Sequence, residues 1–552
     1  MRPLRWISLF LLPSLFLASC VNHESSNVIL SDSSLEDSIY DSSSDRSSSI
    51  VESTSVEQDE KGFCILPEGY LSPTTSKYSF GQKVGGVTLY DHLRLFAGDQ
   101  EIPVYQVMTN NTYVWDPEAK NRTPNGVASL SLEGPITFTL LSTWRVNGHC
   151  IVSPLKADVS VSFDEPYKAV SFTISKPGDY TVEYRSNRTL HLFVHEYSTS
   201  EEYSQSNSIY FGPGLHDKNN DSRLSNNSIL NVYSNQTVYL AEGAIVRGSI
   251  RSNSASNVKI LGKGLLDGSV FERNANAGSV FVPIDFNDCS NIEFSSFGVI
   301  DPAGWCFNLY FCSNLLLDGV KVISSRSNGD GISLQSCQHA EVRHCFTRTY
   351  DDSIVVKNYP RWNNRSIEGT TKDINIHDCL VWTDLAQCLE IGYETVGEVM
   401  EDIHFENITV LHANHKAVIS IHNANNANIN NVTYENIMVE HLNVGQGDGS
   451  RYLIDFTVAH SSTWSDQHKV TGLGSTKNVS IKDVRVLSGI NSPMINIQGS
   501  METRSAYPNV AHKIEGVQME NIELKGAQIG QNYGNIELSL CSDIYLQGTK
   551  LA

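Results

Sequence analysis

The chain is short of positive charge, of long apolar runs and of closely paired cysteines. Its 40 Lys and Arg face 61 Asp and Glu, for a formal net charge of −21. A field of that sign repels polyphosphates, which argues against nucleic acid as a partner and weighs mildly against any polyanionic substrate. Beyond the first twenty residues, no stretch is long and apolar enough to span a bilayer. Eleven cysteines occur, yet none form a Cys-x-x-Cys pair, so a zinc framework is not expected. His412, His415 and His422 are too scattered to suggest a metal triad. Neither a metal nor an organic cofactor is expected.

The beginning of the chain reads as an address. Arg2 and Arg5 precede an apolar run from Trp6 to Leu17, closed by Leu17-Ala18-Ser19-Cys20. This pattern resembles the bacterial lipoprotein signal, in which the cysteine is lipidated after cleavage. The resemblance implies an exported protein of a bacterium, held at the membrane or cell surface through Cys20; a plain secretory signal is the alternative, and in both readings the mature protein leaves the cytoplasm. Residues 21–60 are rich in Ser, Asp and Glu and poor in large apolar side chains, which predicts a disordered tether.

Residues 61–203 carry alternating apolar segments, among them Ala157 to Phe163, Ala169 to Ile174 and Gly178 to Tyr184. Turn residues such as Lys176-Pro177-Gly178-Asp179 separate them. That spacing predicts a small antiparallel β-sandwich. The exported location permits a disulfide between Cys64 and Cys150.

From residue 204 to 552 the period changes. A phrase of the form Asn-(apolar)-x-(apolar)-x-x-(apolar/Cys)-x-(apolar) recurs as NIEFSSFGVI from Asn291, NLLLDGVKVI from Asn314, AEVRHCFTRT from Ala340 and DINIHDCLVW from Asp373. Further copies begin at Asp402, Asn428 and Asn478. Short strands repeating at roughly 20 to 50 residues are the mark of a solenoid, here a parallel β-helix. Cys312, Cys337, Cys345, Cys379 and Cys388 recur within or beside the coil phrases, which predicts a stack of buried thiols. The whole is an all-β chain.

Coiling gives two acidic clusters their meaning. Asn328-Gly329-Asp330-Gly331 and Tyr350-Asp351-Asp352-Ser353 lie about one repeat apart. Strands of adjacent coils sit about 4.8 Å apart, so Asp330 and the Asp351-Asp352 pair are expected to be neighbours. Asp351 and Asp352 would point to opposite faces of a regular strand, so both serve one cleft only if the chain bends there. Three crowded carboxylates suit hydrolysis, because mutual repulsion raises one pKa enough to keep a proton near neutral pH.

Several phrases are similar to known families. YFGPGLH from Tyr210, QTVYLAEGAIVRGSI from Gln236 and VKILGKGLLDG from Val258 resemble the opening coils of glycoside hydrolase family 28, the polygalacturonases, and family 49, the dextranases and isopullulanases. The segment from Gly298 to Leu334 resembles the coil leading to the first catalytic Asp of family 28, and an N-terminal sandwich is a further similarity to family 49. These resemblances imply a right-handed β-helix and an inverting glycoside hydrolase. In such an enzyme one carboxylic acid protonates the leaving oxygen, and carboxylates about 6.5–9.5 Å away activate water. By resemblance Asp351 is the acid, while Asp330 and Asp352 hold and deprotonate the water.

Departures from family 28 bear on the substrate, a polysaccharide or oligosaccharide. The usual His is replaced at Gln387, in Ala386-Gln387-Cys388-Leu389-Glu390-Ile391-Gly392, and the usual Arg-x-Lys clamp by Val418-Ile419-Ser420-Ile421-His422-Asn423. Arg and Lys are how a site grips a uronate carboxylate, and an added Glu390 in the cleft would repel one. A neutral, dextran-like glucan is therefore favoured over polygalacturonate, with Lys357, Arg361 and Lys416 as alternative sources of a clamp. Asn328, Trp305, Lys357, Gln387, Glu390, Tyr393 and His422 are the candidate substrate-binding residues. Trp362 is a further candidate sugar platform, while packing is favoured for Trp382. A β-helix polysaccharide lyase and a noncatalytic carbohydrate-binding surface protein stay open. A monomer is the simplest expectation.

Overall fold

The computed structural model describes residues 56–552 except 68, 72–73, 117–119, 147, 199, 274–281, 359–368, 462–471 and 503–508. Cys20, the tether up to residue 55, Arg361 and Trp362 lie outside the described residues.

The N-terminal strands form two stacked sheets. One joins Lys77–Phe80, Tyr105–Asn110, Arg122–Glu133, Arg188–Glu196, Gly178–Arg185 and Ile151–Ser153; the other joins Gln100–Ile102, Leu93–Ala97, Ile136–Ser142, Ala169–Ile174 and Val161–Asp164. Pairing is antiparallel except between Arg122–Glu133 and Arg188–Glu196, which run parallel. That exception departs from the fully antiparallel expectation. The long connection between the two strands, which passes through the other sheet, lets the chain return in the same direction. Cys64 and Cys150 are both free thiols, so the permitted disulfide is not formed. The Cys64 thiol instead donates to the Pro166 carbonyl at 3.1 Å.

Strand alternation also docks this domain. On Arg188–Glu196, Leu190, Leu192 and Val194 enter the sandwich core, whereas Phe193 packs with Tyr105 and Val107 against Ile245, Phe346 and Trp382 of the second domain. One strand thus serves two cores through its period of two. Trp382 lies in this interface, beneath Arg348 and His412, and not in an open cleft.

The second domain is a parallel β-helix. Each central coil supplies three strands, as in Ser313–Asp318, Lys321–Ile323 and Ile332–Gln335, followed by Gln338–Arg343, Phe346–Thr349 and Ile354–Asn358. The third strand of each coil joins an 11-stranded parallel sheet. Inward positions of that sheet stack coil on coil: Phe307 on Ile332, Ile332 on Ile354, Ile354 on Leu389 and Leu389 on Ile419, all fully buried. The recurring Asn that opens the phrase has its own physical cause. Asn257, Asn291 and Asn314 adopt left-handed φ values of 57°, 54° and 53°, and each side-chain amide donates to the Asn one coil before it at 2.9 to 3.1 Å. Asn tolerates that conformation better than most residues and forms ladders along stacked coils. The five recurring cysteines are all buried free thiols.

Candidate active site

The positions of the 11-stranded sheet that face away from the coil interior form a mostly buried, largely polar surface. Period-two alternation puts Asp285, Asn308, Ser333, Val355, Glu390, Ser420 and Asp455 in one column, each paired with the next across adjacent coils. Gln335 and Lys357 lie two positions on, in the neighbouring column.

The acidic clusters sit where the chain bends into this sheet. Phe346–Thr349 ends before Asp351 and Ile354–Asn358 begins after Asp352, so neither Asp lies in a regular strand. Coil stacking then brings the clusters together: Gly331 N–H donates to the Asp352 carbonyl at 2.9 Å, and Ser353 N–H donates to the Gln387 carbonyl at 3.0 Å. Asp330 and Asp352 are buried, while Asp351 is partly exposed. The Asp352 amide donates to Asp351 Oδ1 at 3.0 Å, and the Gln387 amide donates to Asp352 Oδ1 at 3.2 Å.

Lys357 is the counter-ion of the cluster. Its Nζ lies 3.2 Å from Asp330 Oδ2, 3.4 Å from Glu394 Oε2 and 3.9 Å from Asp352 Oδ2. It also stands 5.1 Å from the centre of the Trp305 ring, so Trp305, nearly buried, faces an ammonium and is not an open sugar platform. Burial pushes Asp330 up to about 7; Lys357 opposes the rise, and Asp351 and Glu394 add to it. Burial first, then Asp351, holds Asp352 well above the carboxylate range despite Lys357. Burial alone would lower Lys357, but Glu394 and the aspartates keep it firmly protonated. Such mutually interacting groups titrate as a unit, and the cluster retains a proton near neutral pH.

Glu390 requires a correction. Its side chain is not exposed to the cleft: it is fully buried, accepts from the Ser420 hydroxyl and lies 2.8 Å from His422 Nδ1. His422 Nε2 is 3.2 Å from Asp455 Oδ2. Burial would lower His422, yet Glu390 and Asp455 outweigh it and raise the imidazole to about 10, so His422 is a cation. The Glu390 charge is thereby neutralised from within, and its expected repulsion of a uronate does not apply. Tyr393 stacks on His422 with ring centres 4.2 Å apart and planes 1° from parallel.

Arg273, Glu394 and Asp455 were not picked out by the sequence motifs. Asp455 could have been found by registering Tyr452–Val458 on Ile419–Asn423, which places it in the Glu390 column. Arg273 has no such signal. It donates to the Asn328 side-chain carbonyl, and Asp351 and Asp330 are its compensating charges.

The N-terminal domain supplies one wall. Asn110, Val114 and Asp116, which follow the strand Tyr105–Asn110 or end it, lie beside the acidic bends. Asn110 Nδ2 donates to the Ser325 carbonyl at 3.2 Å, Tyr350 Oη to the Val114 carbonyl at 2.8 Å, and Ser327 Oγ to the Asp116 carbonyl. Trp115, between these anchors, remains 43% exposed.

A parallel β-helix with a carboxylate cluster at the bends between its coils fits the glycoside hydrolases as a class. The chain belongs to the glycosyl hydrolases family 28, whose model matches residues 219–542. A dextranase of Talaromyces minioluteus is 24% identical over 227 residues, or 38% of this chain and 35% of that one. A probable polygalacturonase of Vitis vinifera is 23% identical over 128 residues, or 22% and 26% respectively. The aligned stretches thus span about a third and a quarter of these curated relatives. Among solved structures, Dex49A from Penicillium minioluteum covers 90% of this chain and 96% of its own, at 12% identity and a TM-score of 0.46.

Proposed function

We propose that this glycoside hydrolase inverts the anomeric centre of a neutral, dextran-like glucan. Asp351, the most exposed member of the trio, passes the proton that the coupled cluster retains to the glycosidic oxygen. Asp330 and Asp352, buried beneath it and bridged by Lys357, hold a water and take its proton as it attacks from the opposite face. Lys357 stabilises the negative charge that the pair must carry for this step.

The observation that carries the neutral substrate is the engagement of the cations on that face of the sheet. Lys357 is enclosed by three acidic residues, His422 by two, and Arg251 lies 4.0 Å from Asp285. A uronate carboxylate would have to compete with these partners. The names of the two curated relatives fit both a dextran and a polygalacturonate substrate. Arg273 favours polygalacturonate as the second reading, because it places a guanidinium near Asp351 with its buried Nε lacking a hydrogen-bond partner among the described residues.

Release of new reducing ends from dextran, pullulan and polygalacturonate tests both readings. Dextran or pullulan is expected to be cut, and Asp351→Asn to lose at least about 10²-fold in kcat. Cleavage of polygalacturonate alone, with loss on Arg273→Leu, would replace the first reading by the second. Products absorbing in the near ultraviolet as unsaturated uronides would instead mean elimination.

A further inference from the structure

The bend that carries Gln387 is held from the next coil by a histidine outside the trio. Ala386 N–H donates to His415 Nδ1 at 3.3 Å, and His415 Nε2 lies 2.8 Å from Asp448 Oδ1. An imidazole that accepts at Nδ1 carries its proton on Nε2, so His415 here is neutral and donates to Asp448. One residue beyond Ala386, the Gln387 amide donates to Asp352 Oδ1. His415 therefore stands one peptide unit away from an amide that fixes a catalytic carboxyl.

Asp448 is itself set by the N-terminal domain. Its N–H donates to the Tyr113 carbonyl at 3.2 Å, and Gly445 N–H donates to the His415 carbonyl at 3.0 Å. The loop fits between these two residues because it is glycine-rich. A Cβ on Gly447, whose φ is 59°, would strike the Tyr113 carbonyl, and one on Gly449 would strike the His415 backbone and ring.

We propose that His415 and Asp448 are a positioning pair which sets the Gln387 amide on Asp352, and that the N-terminal domain takes part through Tyr113. The inference rests on the assignment of the aspartate trio as catalytic. Protonating His415 removes the Nδ1 lone pair, leaves the Ala386 amide without its acceptor and loosens the bend. The charged groups that bear on the ring are Asp448, Lys416 and Asp351. Burial, aided by Lys416, pulls His415 below its ordinary range, while Asp448 and Asp351 oppose this. The bend is thus intact near neutrality and released in acid.

Hydrogen–deuterium exchange over residues 385–388 of the full chain, corrected for intrinsic rates, tests this at pH about 7 and about 4.5, either side of the ordinary histidine range. His415→Gln retains an acceptor and a donor but does not titrate; His415→Phe keeps a ring and loses both. Protection should fall about tenfold or more in acid for the wild type, persist at both pH values in His415→Gln, and be weak at both in His415→Phe. Equal protection in all three overturns the proposal. Asp448→Asn, a change on an exposed loop, serves if the His415 variants do not fold. It removes an anionic neighbour, so the pH midpoint of protection must fall, and an unmoved midpoint is equally fatal. If Asp351→Asn stays active while exchange behaves as expected, the trio assignment fails and the positioning of the bend stands. If Asp351→Asn is inactive and exchange is uniform, the reverse holds.

Discussion

Replacing Lys357 by Met removes one charge from the centre of the site while keeping an unbranched side chain one atom shorter. The ammonium meets Asp330, Glu394 and Asp352 at 3.2, 3.4 and 3.9 Å. At an effective dielectric of about 20, each contact is worth about 4 kcal/mol of attraction. Desolvating the ions offsets most of that sum, so the intact cluster contributes little net stability. Removing only the cation leaves the desolvation of the carboxylates uncompensated, which costs about 3–5 kcal/mol. The pH dependence has a definite sign. Asp330 and Asp352 already lie above the ordinary carboxylate range, and without Lys357 they rise further. A group with a raised folded-state pKa imposes its penalty above that pKa and none below its unfolded value. The Lys357→Met deficit is therefore largest near pH about 8 and shrinks towards pH about 4. Activity follows the same logic: the ionised base becomes scarcer, and the acid limb of kcat moves up by at least about one pH unit. Denaturant unfolding at both pH values and a kcat–pH profile measure the two effects. A variant within about 1 kcal/mol of wild type at pH about 8, with an unmoved acid limb, would refute Lys357 as the counter-ion.

The same linkage makes Asp330→Asn stabilising, by more than about 1 kcal/mol near pH 8 and by little near pH 4, although it abolishes turnover; calorimetry at the two pH values checks this. Trp115→Ala is expected to raise KM roughly fivefold, for about 1 kcal/mol of ring stacking lost, with kcat and melting temperature little changed. An unchanged KM would remove the N-terminal wall from substrate binding. We also propose that Cys20 carries the lipid anchor: Cys20→Ala should move the protein from the membrane to the soluble fraction of its host and abolish incorporation of labelled fatty acid.

Sequence legibility followed the length scale of each interaction. The coil phrase was readable because its residues obey local rules: apolar side chains alternate in strands, and Asn, Asp or His enters the left-handed conformation at most of the recurring corners. One-coil spacing was enough to place Asp330 beside Asp352, since stacked strands repeat at a fixed distance. Glu390 was misread as a charge facing substrate because its neutralising partner, His422, lies one coil on and Asp455 a further coil beyond. Arg273 reaches Asn328 from a segment without a repeat, and the Tyr113–Asp448 contact joins two domains, so neither left a local pattern.

Local residue patterns specify the coil and the acidic trio, because strand period and left-handed corners are properties of a few consecutive residues. Which charges remain uncompensated is set by contacts between coils. The burial and pairing of Lys357 and His422 depend on what neighbouring coils bring within about 4 Å, the range over which a buried charge is neutralised.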